Sequence, residues 1–398
     1  MKPSLFDAHR LNMHDSIALT IASLNGYGSN HDVWSIAWSG GKDSTCLLTL
    51  VLYLIASGKV PPPKRLIVMY ADTRMELPPL AIAALQIIED LRSRGVEVRV
   101  VLPPIDDRFF VYMFGRGVPP PSNTFRWCTP QIKVEPMQEE LQRLAGEWGG
   151  KALVLTGVRQ GESAMRDNRI AMSCGKDGAE CGQGWYQTAL PAQLCATLAP
   201  ILHWRVCHVW AWLKSWAPQA EFGDWGTEML ADAYGGDEAE EINARTGCTG
   251  CPLASKDNAL DAILSLPHWS YLTPLKGLKP LYRELKLPEH RLRKPGGETR
   301  KDGSLVDNQH RMGPLTMEAR RMGLDRVLQI QNAVNRSAVE LNRPTIDILN
   351  PEEVSRITTL IAANTWPQRW TGKEPIATEP FEEESDQEVF WPTVGGVA

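Results

Sequence analysis

Two groups of residues have the types and spacing to do chemistry. The first is Ser39, Gly40, Gly41, Lys42, Asp43 and Ser44. They stand between a short apolar, β-prone run, Val33 to Trp38, and a longer apolar run, Thr45 to Ala56. Strand, tight turn and helix in that order aim backbone N–H groups and the positive end of a helix dipole at one point, which favours an anion. Two adjacent glycines let a phosphate approach the main chain without interference from a Cβ. Lys42 adds a full positive charge, and the Ser39 and Ser44 hydroxyls add donors. Asp43 is out of place if the only task is to hold an anion. It suits holding Mg²⁺ against phosphates, or fixing the loop. The spacing is not that of the G-x-x-x-x-G-K-[ST] nucleotide loop. An ordinary glycine-rich β–turn–α connection is the bland alternative, and the six residues in this context favour the phosphate site.

The second group is made of cysteines, of which the chain has eight. Cys248 and Cys251, in TGCTGCP, form a C-x-x-C that reads as a redox pair or half a metal site. Zinc needs four ligands, and neither a second C-x-x-C nor a histidine pair follows. His203 and His208 have a histidine-pair spacing, but they sit in the aromatic run 200–216 and are expected to pack there. Further ligands are expected from Cys128, which stands beside Arg126 and Lys133, and from a glycine-rich insertion, 170–198, that carries Cys174, Cys181 and Cys195. Cysteine ligation at scattered spacing suits an iron–sulfur cluster at least as well as zinc.

These residues need a scaffold. Apolar runs of strand length at 33–38, 66–71, 96–102 and 152–155 alternate with helical stretches at 44–57, 78–94 and 135–148. That pattern predicts an α/β fold, a parallel twisted sheet with helices on both faces, whose ligands bind at the carboxyl ends of the strands. Asp72 ends the second strand, where a helix-capping role is the alternative. Arg159 and Arg166 follow the strand at 152–155, placed to grip an oxyanion as planar forks. The divisions are a helical lead-in at 1–32, a nucleotide-binding domain at 33–260, a mainly helical region at 261–370 and an acidic tail from 371, expected to be disordered. Basic residues between Arg283 and Arg311, among them Arg291, Arg293 and Lys294, form the best candidate nucleic-acid face, with a solvated loop the equal alternative.

Composition sets the outer limits. The chain has 398 residues, 43% hydrophobic, with a net charge of −5. That length buries a large core, and that charge excludes a globally basic nucleic-acid binder, leaving a local patch or a partner subunit. No apolar run spans a bilayer and no secretory leader is visible. The expected location is the cytoplasm, where a disulfide framework is not expected. Cys46, Cys195 and Cys207 read as packing residues.

SGGKDS (39–44) resembles the PP-loop of the ATP pyrophosphatases. Together with RWCTPQIKVEP (126–136), TGVRQGESAMR (156–166) and GCTGCP (247–252), it resembles the phosphoadenylyl-sulfate (PAPS) reductase family over about residues 33–260. The resemblance implies an adenine nucleotide alpha hydrolase-like fold, ATP with Mg²⁺ at the loop and Asp72 near the adenosine or its phosphates. It also implies charge stabilisation by Arg159 and Arg166, and a 4Fe–4S cluster. Cys128, Cys248 and Cys251 match three cluster ligands of the adenylyl-sulfate reductases, while Trp127 stands where the fourth would be. Cys181 is the choice to supply it, with Cys174 next. The reductases use a nucleophilic cysteine near the C-terminus, and this chain has none after Cys251. RMGPLTMEARRMGL (311–324) instead resembles the sulfurtransferases of DNA phosphorothioation, the Dnd and Ssp systems of bacterial defence. That implies a cysteine desulfurase as sulfur donor, and DNA met directly or through partner subunits. PAPS reduction, tRNA thiolation and a non-catalytic nucleotide-sensing subunit are the rival readings.

Overall fold

The computed structural model describes residues 11–148, 152–160, 185–187, 195–235, 247–296, 298–300 and 302–379. Helix α1 (Met13–Ser23) opens with a capping box: Asn12 accepts from the Asp15 N–H, and Asp15 accepts from the Asn12 N–H. Then follow β1 (Val33–Trp38), α2 (Lys42–Ala56), β2 (Arg65–Ala71), α3 (Pro78–Ser93), β3 (Glu97–Val101), α4 (Glu135–Trp148), β4 (Ala152–Thr156), β5 (Trp185–Gln187) and β6 (Cys195–Ala199). These strands form one sheet in the order β3-β2-β1-β4-β6-β5. All neighbours are parallel except β5, which runs antiparallel to β6. The expected α/β fold is therefore the observed one.

Side-chain alternation sorts the sheet residues into two cores. Trp34, Ile36, Val68, Leu153 and Leu155 face α2 and α3 in the main core. Val33, Ile67, Met69 and Val154 face the other way, onto Leu141 and Leu144 of α4. The aromatic run is core, as expected: Trp204, Trp210 and Trp212 are fully buried. Two of these indoles, and Trp38, donate to helix threonines: Trp38 to Thr45, Trp204 to Thr20 and Trp212 to Thr49, at 2.8, 3.0 and 2.9 Å. A large ring can then be buried without an orphaned N–H. His203 and His208 pack against Ser16, as their setting suggested.

Beyond β6 come α5 (Val206–Ala211), α6 (Asn258–Ser265), α7 (Leu278–Glu284), β7 (Arg291–Arg293), β8 (Met312–Leu315), α8 (Met317–Glu340) and α9 (Pro351–Ala362). No described helix is long and apolar enough to cross a membrane. Four expectations need correcting. Cys195, assigned to the insertion, lies in β6 and pairs with Ala152 of β4. Cys207 is exposed rather than packed. The tail was expected to be disordered from Thr371, but it stays attached to β7 as far as Glu379: the Arg293 N–H donates to the Pro375 carbonyl and the Ala377 N–H to that of Arg291.

The fourth concerns the basic run. Arg291, Arg293 and Lys294 are buried. Arg291 donates to the Gly313 carbonyl and Arg293 to that of Glu379. Lys294 pairs with Glu374, Arg311 with Glu298, and Arg300 with Asp307. Arg291, Arg293 and Lys294 therefore hold the C-terminal region together and are withdrawn from any outer face, while Arg300 and Arg311 stay partly exposed in their ion pairs. A period-2 strand pattern was too short to see within three residues.

Arg320 of α8 is a related device. It is fully buried, donates to the carbonyls of Phe114, Gly115 and Thr365, and lies over the Trp366 ring. Burial lowers its pKa to about 10. Arg320→Met is expected to cost about 2–4 kcal/mol, because buried acceptors lose their donor. Denaturant unfolding checks this, and a loss under about 1 kcal/mol would mean that the carbonyls find other donors.

Candidate nucleotide loop and cysteine site

The sheet order changes direction between β1 and β4, because β1 connects to β2 on one side while β4 pairs with β6 on the other. Open α/β sheets bind ligands at such a switch point. Here it is formed by the ends of β1 and β4. Ser39 and Gly40 follow β1, and Gly40 takes φ +71°, a conformation open mainly to glycine. Gly41 is the N-cap of α2 and supplies no side-chain acceptor of its own. Ser44 knits the turn: its hydroxyl accepts from the Ser39 N–H at 3.2 Å and donates to the Gly41 carbonyl at 3.1 Å. The Ser39 hydroxyl lies 3.2 Å from that of Ser44. Both hydroxyls therefore shape the loop, rather than standing ready for an anion.

Asp43 serves the loop in the same way. One carboxylate oxygen meets the Lys42 ammonium at 3.2 Å, and the other accepts from Arg159 Nε at 2.5 Å. Arg159 is 3% exposed and also donates to the Trp204 carbonyl. The sequence suggested that Arg159 grips a ligand. The structure places it behind the loop, bracing Asp43. Arg166 lies outside the described residues.

Two contributors were not legible as site residues. Tyr234 comes from a 3-10 helix, Glu228–Tyr234. Its hydroxyl accepts from the Lys42 N–H at 3.1 Å, and its ring sits 4.9 Å below the Lys42 ammonium. A contact spanning 192 positions leaves no local pattern. Gly157, just after β4, is the second. A Cβ there would lie 2.8 Å from the Asp43 carbonyl and the Ser44 Cα. Only glycine lets the end of β4 approach the first turn of α2 this closely. Gly157→Ala is expected to cost about 1–3 kcal/mol through overpacking against backbone and to displace the loop. Thermal unfolding together with nucleotide cleavage checks both effects.

Asp72 lies at the end of β2, on the wall of a cavity of ≈ 200 Å³. Tyr70, Arg74 and Glu76 share that wall, Thr249 comes from the C-x-x-C loop, and Ile346 and Asp347 close it from the C-terminal region. Asp72 does not cap α3, whose N-cap is Leu77. It accepts from the Arg74 N–H at 2.9 Å. Arg74 takes φ +63°, which a non-glycine residue rarely adopts. It is held by Asp347 at 2.9 Å, with Glu353 of α9 at 3.7 Å. Glu76 is half-buried, and its desolvation raises its carboxyl pKa. It accepts from the Thr73 hydroxyl at 2.6 Å.

The cysteine loop is fastened to the same segment. The Thr249 N–H donates to the Met75 carbonyl and its hydroxyl to that of Glu76, both at 2.8 Å. Cys128, Cys248 and Cys251 are free thiols in a common neighbourhood. Burial is the main cause that pushes Cys248 up to about 12, with Cys251, Glu76 and Cys128 adding to it. Its surface is exposed, yet protein atoms crowd around it. Cys128 is also raised, mainly by burial. Thiols that resist ionisation together would ionise readily beside a bound cation. Among the described residues, no three His, Cys, Asp or Glu side chains form a group that could hold a metal ion. The three thiols are neighbours without closing on one centre, while Cys181 and Cys174 lie outside the described residues.

This parallel sheet with its loop at the switch point is the α/β architecture that the sequence leads one to expect. Residues 34–217 match the phosphoadenosine phosphosulfate reductase domain family. No curated protein sequence matches the chain. Among solved structures, a phosphoadenylyl-sulfate reductase from Candida auris is 14% identical, over 51% of this chain and 86% of that one, with a TM-score of 0.32. The U34-tRNA thiolase NcsA from Methanococcus maripaludis, solved with its [4Fe-4S] cluster, is 13% identical over 69% and 79%, with a TM-score of 0.35. An FMN adenylyltransferase from Candida glabrata is 16% identical over 50% and 56%, with a TM-score of 0.31.

Proposed function

We propose that the protein is an ATP pyrophosphatase-type sulfurtransferase that acts in DNA phosphorothioate modification. The observation that carries the first half is the Ser39–Ser44 loop, wrapped around the start of α2 at the β1/β4 switch point. In this reading the loop and Lys42 hold the pyrophosphate portion of ATP, with Mg²⁺ alongside, and the cavity beside Asp72 takes the adenosine. A DNA phosphate oxygen attacks the α-phosphorus, pyrophosphate leaves, and a sulfur nucleophile then displaces AMP. Lys42 stabilises the departing charge. Asp43 and Arg159 keep the loop in shape, and the buried wall at Tyr70 and Met75 excludes water.

Cys128, Cys248 and Cys251, with Cys181 as the fourth, would hold a 4Fe–4S cluster. When bound, it would supply or accept sulfur delivered by a cysteine desulfurase. The test is to incubate the protein with ATP, Mg²⁺, the desulfurase and DNA, then measure AMP, pyrophosphate and nuclease-resistant phosphorothioate linkages. AMP and pyrophosphate without phosphorothioate would leave a pyrophosphatase with another acceptor, and neither product would sink the proposal.

The family match over 34–217 favours a second reading, PAPS reduction. Sulfite released from PAPS with a thiol reductant would establish it.

A further inference from the structure

Exposed cations stand outside the basic run as well, in the segment that carries Cys128. The turn before it is closed by hydrogen bonds. Ser122 and Phe125 exchange backbone hydrogen bonds at 3.2 Å, and the Ser122 hydroxyl accepts from the Phe125 N–H at 3.1 Å. Trp127 anchors the other side: it is 9% exposed, stacks on Phe109 at 5.3 Å, and donates to the Pro119 carbonyl at 3.0 Å. Between these fixed points the Phe125 side chain is 49% exposed. Arg126 beside it is exposed, as is Lys133 on the helical turn Pro130–Val134. Among the described residues neither cation forms an ion pair, in contrast to Arg300, Arg311 and Lys294. Arg126 acts electrostatically on Cys128, and Lys133 on Cys248, so both lie at the cysteine site.

From this we infer that the rim formed by Phe125, Arg126 and Lys133 is the docking surface for single-stranded nucleic acid, with a base stacked on Phe125 and phosphates on the two cations. The inference rests on the reading of the site as one that modifies nucleic acid. An outward aromatic ring flanked by unpaired cations is the combination that binds single strands, because every base has a face to stack. The apolar part, Phe125 and Val134, is far smaller than the roughly 800 Å² per partner of a stable protein interface. A duplex keeps its bases stacked and offers none to Phe125.

The test is fluorescence anisotropy with the full-length, anaerobically purified protein, a labelled thymidine 12-mer and a duplex of the same length. The single strand is expected to bind more tightly than the duplex. Phe125→Ala should weaken it by about 10-fold or more, while Phe125→Trp retains it. Arg126→Gln with Lys133→Gln should reduce the salt slope by about 1.4, or 0.7 per phosphate lost. Equal affinity in wild type and all variants would overturn the inference, as would duplex binding as tight as single-strand binding. So would variants that bind the oligonucleotide normally but no longer receive sulfur from the desulfurase, which would make the rim a protein surface. AMP and pyrophosphate formation from ATP with DNA and the desulfurase present is scored separately. If it is present while binding ignores the rim, this inference alone fails; if it is absent, the function proposed above fails.

Discussion

Asp43→Ala is expected to lose about 3–5 kcal/mol of stability together with nearly all nucleotide cleavage. Asp43 faces Lys42 at 3.2 Å and Arg159 at 2.5 Å, and both cations are almost fully buried. Removing a carboxylate from between two buried cations leaves charge without its compensation, which costs far more than the pair itself contributes. The double variant Asp43→Ala with Arg159→Met should recover at least about 1 kcal/mol relative to the sum of the singles, because the two side chains share one interaction. Strict additivity would show that the pair does not brace the loop. Asp43→Asn separates two roles. If stability stays near wild type while cleavage is lost, the carboxylate is needed for a metal rather than for the loop.

Iron content is the second large effect. Anaerobically purified wild type is expected to carry about four irons and a matching amount of acid-labile sulfide, with broad absorption in the visible. Cys128→Ser, Cys248→Ser and Cys251→Ser should each lose most of it, since every ligand of such a cluster is a thiolate. Cys207→Ser should lose none. Cys181→Ser decides the fourth position: if it retains iron, the ligand moves to Cys174 or elsewhere. One zinc in place of iron would leave a structural metal and remove the sulfur-relay step. The neighbouring thiols approach one another without closing on a common centre. A cluster held by the loops bearing Cys128 and Cys248 would tie them to each other, and the iron-bearing protein should be the more resistant of the two forms to proteolysis there.

The sheet was legible because its strands are short apolar runs at carboxyl ends that carry glycine or aspartate. Val33–Trp38 coincides with the expected strand, and Glu135–Trp148 with the expected helix. The loop at Ser39–Ser44 was legible for the same reason, since its glycines and charges are contiguous. What failed was burial and distance. Arg291, Arg293 and Lys294 look like surface charge in sequence, because nothing local announces that the carbonyls of Gly313, Arg369 and Glu379 will surround them. Arg159 was read as a ligand grip, and its partner Asp43 is 116 positions away. Tyr234 was missed outright, since an ordinary tyrosine in an acidic stretch carries no sign that it will touch the start of α2.

The two hydrogen bonds from Thr249 to the Met75 and Glu76 carbonyls have a thermodynamic consequence. They make the C-x-x-C loop and the segment after β2 one mechanical unit. Any occupant of the cavity beside Asp72 that stiffens Met75–Glu76 lowers the entropy still to be lost by Cys248 and Cys251, and the reverse must hold to the same extent. Affinity for nucleotide and affinity for iron are then linked quantities, and Thr249→Val, which removes the hydroxyl's bond and keeps the N–H's, should weaken the linkage while leaving each measurable on its own.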